Sequence, residues 1–128
     1  DIFVKEFFKR EKDIKNSNIL ILGLTFKENC SDIRNTKVVN MIKKLEDYNP
    51  KITIVDPYAD IEKSKSIYDI KVINKIPLKK KFDGIIIAVA HDQFIKLEID
   101  FWRNLMKDDC ILMDIKNILP KEINSIKI

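Results

Sequence analysis

Four short runs of almost wholly apolar, β-branched residues set the limits on what this chain can become: Ile19-Leu-Ile-Leu22, Lys51-Ile-Thr-Ile-Val55, Gly84-Ile-Ile-Ile-Ala-Val89 and Cys110-Ile-Leu-Met-Asp114. A half-wet strand alternates polar and apolar residues, whereas a continuous apolar run is buried on both faces, as in a parallel sheet covered by helices. Helical patterns fill the intervals. Ile2, Phe3, Phe7 and Phe8 recur at helical spacing against Lys5, Glu6, Lys9 and Arg10, which predicts an amphipathic helix over 2–11 packed on the domain's flank. Asn35 or Thr36 caps a second helix running to about Asp47, with Val38, Met41, Ile42 and Leu45 on one face. Shorter helices are expected over 60–68, 94–97 and 101–106, a weak strand over 70–73 and an edge strand over 125–128. This rhythm is that of an α/β fold, a Rossmann-like three-layer sandwich with a mostly parallel sheet flanked by helices. With right-handed crossovers, strand order reverses between the first run and 84–89, and a crevice opens there.

Composition narrows the function. The 128 residues make one domain with a core of its own, and no apolar run approaches the ~20 residues needed to span a bilayer, so no membrane partner is expected. The net charge of +4 and pI near 9.0 do not mark a nucleic-acid binder, because acidic residues are interspersed throughout. Lys79-Lys80-Lys81, the one basic run, reads as a solvated turn. Two cysteines, Cys30 and Cys110, and a single histidine, His91, cannot assemble a site of three or four soft ligands, so no metal is expected. The two cysteines read as free thiols of a cytoplasmic protein. The opening residues from Asp1 to Phe8 show neither an initiator methionine nor a signal pattern, and read as a cut from something longer.

The turn after the first strand carries the chemistry: Gly23-Leu-Thr-Phe-Lys27-Glu-Asn-Cys-Ser-Asp32-Ile-Arg34-Asn-Thr36. A dinucleotide fingerprint would place G-x-G-x-x-G here so that backbone amides could approach a pyrophosphate. This turn has one glycine, one lysine and one arginine instead, so an anion would be met by side chains. Lys27 and Lys116, from two strand ends, are expected to converge on a ligand with two phosphates, with Phe26 offering an apolar surface beside them. Ala90-His91-Asp92 and Ile115-Lys116-Asn117 would form the other walls. Each lysine has a plainer alternative, a surface residue at a strand end, and Asp32 with Arg34 could simply brace the turn. His91 reads as a strand-end histidine bonded to backbone, and Asp56 as the residue that closes the second strand.

At these residues the chain resembles the UDP-glucose/GDP-mannose dehydrogenase family, in its carboxyl-terminal nucleotide-sugar-binding domain. The resemblance rests on Leu22-Gly-Leu-Thr-Phe-Lys27 with Asp32-Ile-Arg34-Asn-Thr36, on Val55-Asp-Pro-Tyr58, on Ala88-Val-Ala-His91 with Phe94, and on Met113-Asp-Ile-Lys116-Asn117, spanning about 17–120. The string Thr25-Phe-Lys-Glu-Asn-Cys30 is most similar to members that oxidise UDP-N-acetylhexosamines for surface polysaccharides. The resemblance implies that this domain holds the UDP portion of a UDP-sugar while a preceding domain holds most of the NAD. The family oxidises the sugar C6 hydroxyl twice, through a cysteine whose glycine-rich Cys-Phe motif is absent here, so no catalytic residue is expected in this stretch.

Carried over by residue, Phe26, Lys27 and Lys116 would contact the UDP-sugar and Arg34 would reach NAD. Lys116 stands where the animal UDP-glucose enzymes have arginine, keeping the charge but losing the planar fork. Lys37 stands where many members have proline. Residues 1–16 would be a linker helix from a central domain through which the full enzyme forms homodimers, and 17–128 the nucleotide-sugar-binding domain. The competing readings are a free-standing nucleotide- or anion-binding module without an oxidoreductase role and a purely structural α/β interaction domain.

Overall fold

The computed structural model describes residues 2–126, and its centre is the first apolar run. Strand β1 (Asn18–Leu22) pairs in parallel with β2 (Lys51–Val55) on one side and β4 (Phe82–Ile87) on the other; β3 (Val72–Ile73) and β5 (Met106–Asp114) complete the sheet outside them. All these pairings are parallel and the order is β3-β2-β1-β4-β5, so the reversal falls between β1 and β4 as expected. Ile19 to Leu22 and Ile85 to Ile87 are fully buried, the state that explains why neither run alternates.

Helices α1 (Ile2–Lys9) and α2 (Thr36–Glu46) cover one face of the sheet, meeting Ile19, Ile21, Ile86 and Ile111. Helices α4 (Asp92–Ile95) and α5 (Ile99–Leu105) cover the other, where Trp102 and Phe94 pack with Leu20, Leu22, Ile85 and Ile87. Helix α3 (Ile61–Tyr68) leads from β2 to β3, and its cap residue Asp69 takes a left-handed φ of 56°. Asn35 is the N-cap of α2, its side chain accepting from the Val38 amide.

Three local expectations are corrected. The buried stripe of α1 is Phe3, Val4 and Phe7, while Ile2 and Phe8 are half exposed. The reason lies in β4: a Cβ at Gly84 would stand 2.5 Å from Phe3 Cζ and 3.1 Å from Phe7 Cζ, so the missing side chain is the seat into which those two rings descend. Strand β5 begins at Met106, which the sequence assigns to a helix; Met106 pairs with Phe82, then the register jumps so that Gly84 faces Ile111. Asp109, at φ 60°, lies in the bulge between, where polar Lys107, Asp108 and Asp109 hide the strand from a hydrophobic pattern. Finally, the edge strand over 125–128 is reduced to one parallel bridge between Ile126 and Met113, with 127 and 128 outside the described residues.

Candidate functional site

Gly23 ends β1 at φ +104°, and a Cβ there would lie 2.7 Å from the Val89 backbone nitrogen, so only glycine lets the chain leave the sheet so close to the end of β4. The segment that follows folds back on itself, the Phe26 amide donating to the Asp32 carbonyl at 2.6 Å, and enters α2 at Asn35. An open cleft of about 470 Å³ lies beside it, at the switch point between β1 and β4. Phe26, Arg34, Lys37, Ala88, Ile115 and Lys116 line it, together with the first turn of α2. Among the described residues no acidic side chain contributes to that lining, and the positive end of the α2 dipole adds to three cations, so the cleft suits an anion with an apolar part.

The structure therefore brings Phe26, Arg34 and Lys116 together. Lys27 is exposed on the same loop but does not line the cleft. Phe26 is 59% exposed, a large apolar side chain kept in solvent at the cleft wall. The Arg34 guanidinium, 86% exposed, lies against Asp32, with Nη2 to Oδ2 at 2.7 Å. Hydrogen bonds from the Arg34 side chain and amide hold the Asp32 carboxyl down at about 2. Arg34 thus lines the cleft while its guanidinium is paired with Asp32. Cys30 is half-buried in the loop, its Sγ accepting from the Asp32 amide, and Cys110 is a buried thiol that desolvation pushes up to about 12; both are free.

The expectation that Ala90-His91-Asp92 forms a wall of the cleft is not met, because His91 is wholly buried beneath the loop. Its Nδ1 accepts from the Asn29 amide at 2.9 Å, which fixes the proton on Nε2, and Nε2 donates to Asp56 Oδ2 at 2.9 Å. Thr25 Oγ1 lies 3.1 Å from the same Nε2. Asp56, also wholly buried, accepts from the amides of Leu24 and Thr25 at Oδ2 and of Tyr58 and Ala59 at Oδ1. Burial pushes its carboxyl up, but His91 and the amides of Leu24, Thr25 and Tyr58 outweigh that and hold it below the usual carboxylate range. Sequence reasoning read His91 as backbone-bonded and Asp56 as a strand end without joining them. The strand order was the available signal, since the β1 loop must pass between the ends of β2 and β4.

Among the described residues no group of three His, Cys, Asp or Glu side chains is placed to hold a metal ion, and no helix is long and apolar enough to cross a membrane.

A parallel 3-2-1-4-5 sheet with its cleft at the switch point defines a Rossmann-like α/β domain, here one whose turn after β1 carries charged side chains and a single glycine. Residues 20–121 match the UDP-glucose/GDP-mannose dehydrogenase family, UDP binding domain, and the chain belongs to that family. It is 37% identical over 125 residues to UDP-N-acetyl-D-glucosamine 6-dehydrogenase of Salmonella typhi, covering 98% of this chain and 29% of that protein. Protein CapL of Staphylococcus aureus is 37% identical over 119 residues, covering 93% and 28% respectively. Among solved structures, the UDP-D-ManNAc dehydrogenase from Pyrococcus horikoshii superposes with a TM-score of 0.74 at 19% identity, over 98% of this chain and 29% of that one. The chain thus spans less than a third of the length of these relatives.

Proposed function

We propose that the chain is the carboxyl-terminal, UDP-sugar-holding part of an NAD-dependent nucleotide-sugar 6-dehydrogenase that oxidises a UDP-N-acetylhexosamine to the uronic acid for surface polysaccharide synthesis. The observation that carries this is the cationic cleft of Phe26, Arg34, Lys37 and Lys116 at the switch point of a chain whose residues 20–121 match the family's UDP binding domain. The choice of sugar leans on relatives: those named UDP-N-acetyl-D-glucosamine 6-dehydrogenase are 36–37% identical, those named UDP-glucose 6-dehydrogenase 29–30%.

In this reading Lys116 and Lys27 meet the diphosphate from two strand ends and Phe26 packs on the apolar part of the ligand. Lys27, outside the cleft lining, meets its ligand from the loop's exposed side. Arg34, at the mouth, faces NAD. NAD when bound supplies the hydride acceptor, and it belongs mainly to a preceding domain, because the turn after β1 has a single glycine where a dinucleotide fingerprint needs three. One exposed guanidinium fits a contributing contact to that cofactor and not a complete site. Residues 1–16 serve as the linker from a central domain that makes the enzyme a homodimer, 17–128 form the nucleotide-sugar domain, and the enzyme works in the cytoplasm.

The test is the full-length protein with UDP-N-acetylglucosamine and NAD, read by NADH absorbance. Lys27→Ala and Lys116→Ala should each weaken UDP binding by about 1.5–3 kcal/mol, the worth of a charged hydrogen bond. Turnover without any loss in either variant would return both lysines to surface roles; no turnover with any UDP-hexose would remove the activity.

A further inference from the structure

We infer that His91 is a positioning residue for UDP: with Asp56 it clamps the loop that bears Phe26 and Lys27 from beneath, without touching the ligand. The inference rests on the reading of that loop as the nucleotide-sugar site. Two features separate this clamp from ordinary core packing. The first is where its bonds end. Asp56 Oδ2 takes the amides of Leu24 and Thr25, at 2.7 and 3.0 Å, on the near side of Phe26 and Lys27. His91 Nδ1 takes the amide of Asn29, at 2.9 Å, on the far side. The two exposed residues that carry the proposed contacts therefore stand between two fixed points, and one Nε2–H joins those points by donating to Asp56 at 2.9 Å.

The second feature is that every polar atom in the chain of contacts is matched. Thr25 Oγ1, 3.1 Å from Nε2, donates onward to the Lys27 carbonyl. Asn29 Oδ1 accepts from the Asp92 amide, and Asn35 Nδ2 donates to the Thr25 carbonyl, so the loop is tied to the start of α4 and to the cap of α2 as well. Tyr58 and Phe94 flank the imidazole, at ring-centroid distances of 4.8 and 5.4 Å, which closes it to solvent. Asn29 sits at φ 56°, a left-handed conformation that the clamp holds in place. A loop held this way meets its ligand already ordered, and binding does not have to order it. An imidazole suits the position because one rigid ring offers an acceptor at Nδ1 to the loop and a donor at Nε2 to Asp56.

The experiment uses the full-length protein and UDP alone as the probe, titrated calorimetrically. His91→Phe keeps the ring volume and removes both bonds; it should raise the Kd for UDP roughly tenfold or more, while the KM for NAD changes less than about twofold. His91→Asn, whose amide oxygen can stand in for Nδ1 toward Asn29, should recover much of the lost affinity. A purely structural role would lower the melting temperature of both variants and leave the UDP affinity of the folded protein unchanged, and that result overturns the inference. Lys27→Ala and Lys116→Ala run alongside. If they weaken UDP binding while His91→Phe does not, the clamp fails and the site stands; if all three bind as wild type, the site itself fails and the clamp with it. Should His91→Phe not fold, hydrogen exchange in the wild-type protein decides: the Asn29 amide should exchange orders of magnitude more slowly than that of Glu28, and equal rates for the two would refute the clamp.

Discussion

Gly84→Ala tests the seat of α1. The new Cβ would sit 2.5 Å from Phe3 Cζ and 3.1–3.2 Å from the Phe7 ring. Apolar carbons rest at about 3.5–4 Å, so the overlap with Phe3 is on the order of 1 Å. Both rings are buried, at 1% and 0% exposure, and they pack on each other with centroids 5.2 Å apart, so neither has an empty direction to move in. Overpacking of this kind costs about 1–3 kcal/mol, and the gain from stiffening the unfolded chain, ~0.4–1 kcal/mol, offsets part of it. A net loss of about 1–2 kcal/mol follows, or roughly 3–10 °C in melting temperature for a domain of this size. The assay is urea unfolding of the chain and of Phe3→Leu, Gly84→Ala and the double variant. Leucine is shorter, so in the double variant part of the overlap disappears, and its loss should fall short of the sum of the two single losses by ~1 kcal/mol or more. Additivity within about 0.3–0.5 kcal/mol would mean that Phe3 does not occupy the hollow at Gly84.

Asp56 has a depressed folded pKa, so its contribution is present above the ordinary carboxylate value of about 3.9 and is lost as pH falls through the folded value. Asp56→Asn should cost roughly 2–4 kcal/mol at neutral pH and less in acid, and urea midpoints against pH should show a flatter acid limb; an unchanged limb refutes the assignment. Arg34→Ala should leave the melting temperature of the chain unchanged, since its pair with Asp32 is exposed. In the full enzyme it should raise the KM for NAD while UDP affinity holds; equal weakening toward both ligands would reduce Arg34 to a brace. The 128-residue chain alone should fold cooperatively yet produce no NADH from UDP-sugar and NAD, and reproducible turnover would contradict the division of labour.

The strands at 19–22 and 84–87 were legible because burial on both faces leaves a continuous apolar run, 51–55 from its β-branched residues although only Ile54 and Val55 are buried, and their order followed from the handedness of crossovers. Strand β4 itself starts two residues earlier than its apolar run, at Phe82, and ends at Ile87 instead of Val89. The face of α1 was not. Ile2, Phe3, Val4, Phe7 and Phe8 spread over a wide arc of the helix, and only the hollow at Gly84, some eighty residues away, selects Phe3 and Phe7 from it. The start of β5 was hidden for the opposite reason, since its polar residues carry no pattern until the bulge is known. Around the cleft, Phe26, Arg34 and Lys116 stand together on the turn and strand end that motif and topology pointed to, whereas Lys27, expected to converge with Lys116, stands outside the lining. The link between Asp56 and His91 was not, because each looks ordinary alone and their partnership exists only after β1 has been laid between β2 and β4.

That same hollow at Gly84 bears on how the chain emerges from the ribosome. Phe3 and Phe7 are made early, but the strand that receives them is made nearly eighty residues later, on the order of ten seconds at ordinary elongation rates. Helix α1 therefore waits for its seat through most of the synthesis of the domain. Its docking must be a late step, and for that interval those rings are a natural handle for a chaperone or a seed for misassembly.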